Sequence, residues 1–194
     1  MLHIKLKDTK IILASASPRR AEILKLVGLD FSVLPADINE DITETNPKKY
    51  VKKIALMKCK AIDKEIYTNN LIIAADTTVY FNDKIYSKPK DETDVIEFLT
   101  QLSGKTHIVY TAVAISYQKT VLCEVASSFV RFKTLSLTEI LDYIKTNEPF
   151  DKAGAYGIQG YGSQFIENIK GCYFNVMGFP INVFLNMIEK INLI

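Results

Sequence analysis

The chain has 194 residues, 48% of them apolar, enough for a sizeable core and unlike a disordered or fibrous protein. Its 24 basic and 22 acidic residues leave a net charge of +2. That balance is too even for a groove tracking a long phosphate backbone, so nucleic acid is not expected as a partner, whereas a single small anion in a local basic pocket is compatible with it.

Residues 1–10 carry Lys5, Lys7, Asp8 and Lys10, and the apolar run that follows is too short for a signal segment or a membrane span. A cytoplasmic protein with no membrane partner is therefore expected. Ile11 to Ala14 reads as a buried strand. Ser17 then stands as a helix N-cap with Pro18 in the first turn and Gly28 as the stop. Phe31 to Pro35 is a second short strand, and Asp37 to Asn46 a polar loop. Pro47 opens a long amphipathic helix to about Ile66, with Val51, Ile54, Ala55, Ile62 and Ile66 on its apolar face. Leu71 to Ala75 is an apolar strand ending at Asp76, and residues 79–86 read as a hairpin turning at Asn82-Asp83. Asp91 caps a helix through Leu102 that Gly104 ends. Val109 to Tyr117 and Val121 to Phe132 are long β-rich runs, expected to pair. Ser136 and Glu139 form a capping box for a helix ending near Thr146. Six of the eight glycines fall between Gly154 and Gly178, which predicts a shaped loop region, and Pro180 opens a last helix ending near Asn192. Interleaved strands and helices without repeats or a linker predict an α/β fold in one domain, residues 1–194.

Several places can carry chemistry. Ser15-Ala16-Ser17-Pro18-Arg19-Arg20 joins a strand to a helix N-terminus, where free N–H groups, the helix dipole and arginine attract phosphate; an ordinary capped helix with two solvated arginines explains the segment about as well. Asp76, read at the end of an apolar strand, can orient water or hold a magnesium ion, though a turn aspartate is the commoner meaning. Lys88 precedes a helix cap, and Lys58 lies beside the apolar face of the long helix. Either can reach a phosphate, but isolated lysines are usually solvated. Glu40 and Asp41 are metal-binding or merely exposed. In the loop from Asp151 to Gly162, glycines permit close approach to a ligand and the Gln159 amide matches the N3–H and a carbonyl of uracil or thymine; Tyr156 or Tyr161 offers a stacking face. Cys59, Cys123 and Cys172 are spaced for neither disulfides nor zinc and are expected to be buried thiols. With His3 and His107 the only histidines, no His-based metal site or Ser-His-Asp triad is expected, and His107 in its apolar strand is more often structural than catalytic.

Taken together, residues 13–20, 74–77, 87–91, 102–107, 151–160 and 171–180 resemble the Maf family of nucleoside triphosphate pyrophosphatases, in the family's order and across nearly the whole chain. The resemblance implies a Maf/ITPase-like fold, a mixed twisted sheet with flanking helices and two lobes around a deep cleft. It implies a nucleoside triphosphate as substrate, a divalent cation, Mg2+ or Mn2+, and in many members a homodimer. It puts the catalytic carboxylate on Asp76 and substrate contacts on Arg19, Thr77 and Gln159, with Ser15, Arg20, Glu40, Lys58 and Lys88 in supporting roles. In the family, Asp-Thr together with Tyr-Gly-Ile-Gln marks the branch cleaving dTTP and UTP, and the branch acting on 7-methyl-GTP departs at both places. Ala16 departs from the Gly or Asn common there. The expected reaction is attack of water on the α-phosphate with pyrophosphate leaving, Asp76 either activating the water or sharing a metal with Glu40. Two other readings stay open: a nucleotide-binding regulator of cell division without turnover, and a house-cleaning pyrophosphatase for modified or purine nucleotides.

Overall fold

The computed structural model describes residues 1–63, 67, 69–118 and 120–191. Among the described residues seven strands form one mixed sheet in the order β2 (Ser32–Val33), β1 (Lys10–Leu13), β3 (Asn70–Phe81), β5 (Thr106–Tyr117), β6 (Thr120–Phe132), β7 (Ile166–Lys170), with β4 (Lys84–Tyr86) paired to β3, and helices flank it. The chain divides into two compact units. The first comprises Met1–Asp76, Thr111–Ala126 and the segment from Gly178 onward; the second comprises Thr77–Tyr110 and Ser127–Met177.

In the first unit, β1 (Lys10–Leu13) pairs in parallel with β2 (Ser32–Val33) and with the start of β3 (Asn70–Phe81), Leu13 lying opposite both Val33 and Ile73. Ile11, Ile12 and Leu13 are all buried, as a parallel strand covered on both faces requires. Around these strands lie α1 (Leu2–Lys5), α2 (Pro18–Leu26), α3 (Pro47–Ile62) and α7 (Ile181–Lys190). The Asn46 side chain accepts the N–H groups of Lys48 and Lys49 and so starts α3, whose buried stripe runs Val51, Ile54, Ala55, Lys58, Cys59, Ile62. Ile66 and Asn192, the ends expected for α3 and α7, lie outside the described residues.

β3 differs from the sequence reading. It does not stop at Asp76 but continues to Phe81, because Thr77, Thr78, Val79 and Tyr80 are good strand formers and the strand's tail pairs with β4 (Lys84–Tyr86). Asp76 therefore sits in mid-strand, not beyond a strand's carboxyl end. The Asn82-Asp83 turn has φ of 49° and 60°, as a two-residue hairpin of this hand demands.

The second unit also contains α4 (Glu92–Leu102), started by the Asp91 side chain accepting the Asp94 N–H, and α5 (Leu137–Ile144), with the expected reciprocal bonds of Ser136 and Glu139. β5 (Thr106–Tyr117) and β6 (Thr120–Phe132) are sheet neighbours and divide between the units. The glycine-rich region is not all loop: it includes β7 (Ile166–Lys170), antiparallel to β6, and the short helix α6 (Tyr173–Met177). Both are too short to leave a period in the sequence. The core of this unit gathers Val79, Leu99, Leu102, Val130, Phe132 and Phe165.

His107 belongs to that core. Its Nε2 shares a hydrogen bond of 2.7 Å with the Tyr156 hydroxyl, and its ring meets Phe132 edge-on at 4.9 Å. Burial pushes its pKa down to about 3, so the folded protein carries it neutral, and burial pushes the Tyr156 hydroxyl up. Tyr156 is thus a core residue and offers no stacking face, contrary to the sequence reading. Of the cysteines, only Cys59 is buried; Cys123 and Cys172 are half-buried, and all three are free thiols. Among the described residues no helix is long and apolar enough to cross a membrane.

The His107 environment sets a pH dependence. The unfolded chain protonates this side chain near the ordinary value of 6.5, the folded chain only near 3, so between those values the unfolded state binds more protons and stability falls as pH falls, by up to about 1.4 kcal/mol per pH unit. Thermal melts at pH 7, 5.5 and 4 are expected to show this decline. His107→Phe should melt lower at pH 7, because Tyr156 loses its partner, and decline less steeply below it.

Candidate active site

The first unit assembles a compact charged cluster around Lys58. Nothing about an apolar helix stripe favours an ammonium, yet Lys58 faces inward with a side chain only 11% exposed. Two carboxylates compensate it. Asp76 Oδ1 from mid-β3 lies 2.9 Å from Lys58 Nζ, and Glu40 Oε1 from the polar loop lies 3.0 Å from it. The Asp76 side chain is as buried as the lysine, whereas Glu40 is 46% exposed and closes the cluster from the solvent side.

Arg20 supplies a second buried cation. Its Nε donates to the Gly178 carbonyl at 3.0 Å, and its Nη1 donates to Ser15 Oγ at 3.1 Å. The same Ser15 oxygen accepts the Ser17 N–H at 3.2 Å, fixing the corner between β1 and α2. Burial lowers the Arg20 pKa and Asp76 opposes that shift. Burial raises the Asp76 carboxyl above the ordinary carboxylate range, against the pull of Lys58 and Arg20. Desolvation and neighbouring cations thus pull the Asp76 carboxyl in opposite directions, the kind of perturbed setting in which general bases are found.

The expected residues thus meet in part. Ser15, Arg20, Glu40, Lys58 and Asp76 form one network in the first unit, with Arg19 half-buried next to it in α2. The alternatives of a solvated Arg20 and a solvated Lys58 are ruled out by their burial. Thr77, Lys88 and Gln159 belong to the second unit. There the glycine loop and the segment holding the exposed Lys88 are joined, since Gly154 N–H donates to the Ser87 carbonyl at 3.1 Å. Gly154, at φ +70°, lies so close to Val79 that a Cβ would meet its Cγ2 at 2.7 Å. Gln159 is exposed, as is Tyr161.

Three participants escaped the sequence reading. Tyr50 is a half-buried phenol in the first turn of α3, raised by burial and by the charges of Asp76, Glu40 and Asp41; its spacing of two helical turns from Lys58 was the available signal. Glu148 and Tyr143 bind the backbone around Gln159, and only coordinates reveal that.

The chain belongs to the Maf-like family: the family model described as Maf-like protein matches residues 10–191. A relative from Clostridium perfringens ATCC 13124, named dTTP/UTP pyrophosphatase, is 43% identical over 185 residues, covering 93% of this chain and 96% of its own. Relatives of the same name from Thermosipho africanus and Aquifex aeolicus are 46% and 40% identical, covering 89% and 95% of this chain and 88% and 97% of their own. Among solved structures, the Ham1 protein of Staphylococcus aureus superposes with a TM-score of 0.56 over 95% of this chain and 100% of its own, at 14% identity, a likeness of fold.

The cluster carries a stability consequence. Lys58→Met removes the one ammonium that both carboxylates share and leaves Asp76 buried with only Arg20 to offset it. A loss of about 3 kcal/mol is expected by urea denaturation. Glu40→Gln, at the exposed side, should cost under about 1 kcal/mol.

Proposed function

We propose that this protein is a nucleoside triphosphate pyrophosphatase that hydrolyses dTTP and UTP to the nucleoside monophosphate and pyrophosphate. The observation that carries the reading is the buried Asp76 carboxyl, ion-paired to Lys58 at 2.9 Å and near the charge of Arg20, in a chain whose relatives bear that name and match it over 88% to 97% of their own length.

In this reading Asp76 takes a proton from the attacking water. The new bond joins the water oxygen to the α-phosphorus, and the bond that breaks joins that phosphorus to the oxygen bridging to the β-phosphate. The reaction depends chiefly on positioning and on neutralising charge. Arg19 and Lys88 meet the triphosphate. Lys58 stands ready to transfer part of its ion pairing from Glu40 to a phosphate oxygen. Arg20, tied to Gly178 and Ser15, acts as a fixed charge behind Asp76 more than as a mobile ligand. Thr77 and the Gln159 amide contact the pyrimidine edge, so a purine fails on size and on unpaired polar groups.

Among the described residues no group of three or more His, Cys, Asp or Glu is arranged to hold a metal ion. Two carboxylate oxygens, of Asp76 and Glu40, nevertheless face the common point now taken by Lys58 Nζ. One or two carboxylates completed by substrate phosphates is the usual donor set for magnesium. As the alternative to the base role, Asp76 would share such an ion with Glu40 in place of Lys58, and the ion when bound would neutralise developing charge on the phosphates. A cytoplasmic setting among free nucleotides and a homodimer complete the reading.

Incubation with UTP and magnesium, with products resolved, is expected to yield UMP and pyrophosphate; UDP and orthophosphate, or no turnover, would refute the assignment. Asp76→Asn should lower kcat by about a thousandfold while equilibrium binding of UTP stays measurable, and near-normal turnover would remove Asp76 from the mechanism. Gln159→Ala is expected to reduce the UTP-to-GTP ratio of kcat/KM by roughly tenfold or more.

A further inference from the structure

Gln159 is exposed and stands in a glycine-rich stretch, a poor starting point for reading a base, because an amide that wanders cannot discriminate. The second unit holds a device against this. Glu148 follows Asn147, which turns the chain in the left-handed region at φ 58°. Its carboxylate collects three donors from two stretches of chain. The Tyr161 N–H donates to Oε2 at 2.8 Å, the Gly162 N–H donates to Oε1 at 3.1 Å, and the Tyr143 hydroxyl donates to Oε1 at 3.0 Å. The Tyr143 oxygen is in turn bonded by the Gly157 backbone. Chain on both sides of Gln159 is therefore tied to one carboxylate, directly through residues 161 and 162 and through Tyr143 at residue 157.

The glycines fit this clamp closely. A Cβ on Gly160, at φ +72°, would collide with Glu148 Oε2. A Cβ on Gly162 would lie 2.7 Å from the Gly157 carbonyl oxygen and 2.8 Å from the Tyr143 hydroxyl. A Cβ on Gly157 would lie 2.7 Å from Lys152 Cε, and the Lys152 ammonium donates to the Glu148 carbonyl at 2.7 Å. The loop is thus built around Glu148 and Tyr143, not merely near them. Tyr143 is anchored from behind, its ring edge-on to Phe165 at 4.9 Å.

We infer that Glu148, acting with Tyr143, is the positioning residue that fixes the Gln159 loop and thereby sets base selectivity. This rests on the pyrimidine-reading role proposed for Gln159. A carboxylate suits the task because each of its oxygens accepts more than one bond, and charge-assisted bonds to backbone N–H groups are the stronger kind. A glutamine has one carbonyl oxygen for the three donors and would turn its NH2 toward at least one of them.

The test compares wild type, Glu148→Gln, Tyr143→Phe and Gln159→Ala. Four readouts are needed: kcat/KM for UTP and for GTP, inhibition by inorganic tripolyphosphate, hydrogen exchange at Tyr161 and Gly162, and the melting temperature. Glu148→Gln is expected to lower the UTP-to-GTP ratio by roughly tenfold, matching Gln159→Ala in direction, and to speed exchange at both amides. Tripolyphosphate inhibition should stay within about twofold of wild type, since that probe lacks a base. A merely structural role would lower the melting temperature and leave the ratio intact. Tyr143→Phe keeps the ring in the core and should reproduce a smaller loss of selectivity should Glu148→Gln fold poorly. Unchanged ratios in both variants, with Gln159→Ala showing its loss, would overturn the inference and leave the proposed function standing. Wild type that cleaves no UTP would overturn the proposed function itself, and exchange would still report whether Glu148 holds the loop. An unchanged ratio in Gln159→Ala would overturn the inference through its premise.

Discussion

The first unit is organised around an ammonium group in a place that physical chemistry disfavours. Lys58 occupies a position in the buried stripe of α3 where an apolar side chain would sit without cost. Taking that charge out of water is tolerable only because Asp76 and Glu40 meet it at hydrogen-bond distance. The demand runs both ways, since Asp76 in mid-β3 would be an unpaired buried carboxylate without Lys58 and Arg20. Arg20 in turn needs the acceptors of Ser15 and Gly178. Segments distant in sequence are bound into one arrangement by the requirement that no buried charge stand alone.

That requirement also explains why the cluster is suited to chemistry. Each group is held by its neighbours, so little reorganisation would accompany the arrival of charge. Glu40 is the one carboxylate with substantial access to solvent, and it shares Lys58 with the buried acid. In the proposed reaction an arriving phosphate oxygen would compete for Lys58 with the exposed partner more readily than with the buried one. The energetic asymmetry between two otherwise similar ion pairs thereby separates a structural contact from an exchangeable one.

The second unit solves a different problem, that of giving shape to a segment rich in glycine. Its backbone is fixed by donors converging on Glu148 and by side chains filling the space glycine leaves open, with Lys152 over Gly157 and Tyr143 beside Gly162. His107 and Tyr156 are spent in the core beneath it, each occupied by the other. Exposed Gln159 and Tyr161 remain as the outward-facing polar and aromatic groups of the loop.

Where local rules suffice, the sequence determined the outcome. The caps at Asp91 and Ser136 and the turn at Asn82-Asp83 each depend on a few adjacent residues and appear where those residues stand. The motifs at residues 13–20, 74–77 and 151–160 pointed to the Maf-like family, because the order and types of residues carry that information without coordinates. Tertiary structure decided the rest. The polar Asp-Thr-Thr run resembled a strand's end, yet β3 passes through it, since a distant lysine satisfies the aspartate. The residues alone left Lys58 open between a phosphate contact and a solvated side chain and offered Tyr156 as one stacking face, because burial is a property of what packs against a residue, not of the residue. Glu148 gave no signal at all: its meaning lies in bonds to backbone N–H groups at 161 and 162, and every non-proline residue carries such a group, so only the folding of the chain selects which of them a carboxylate will hold.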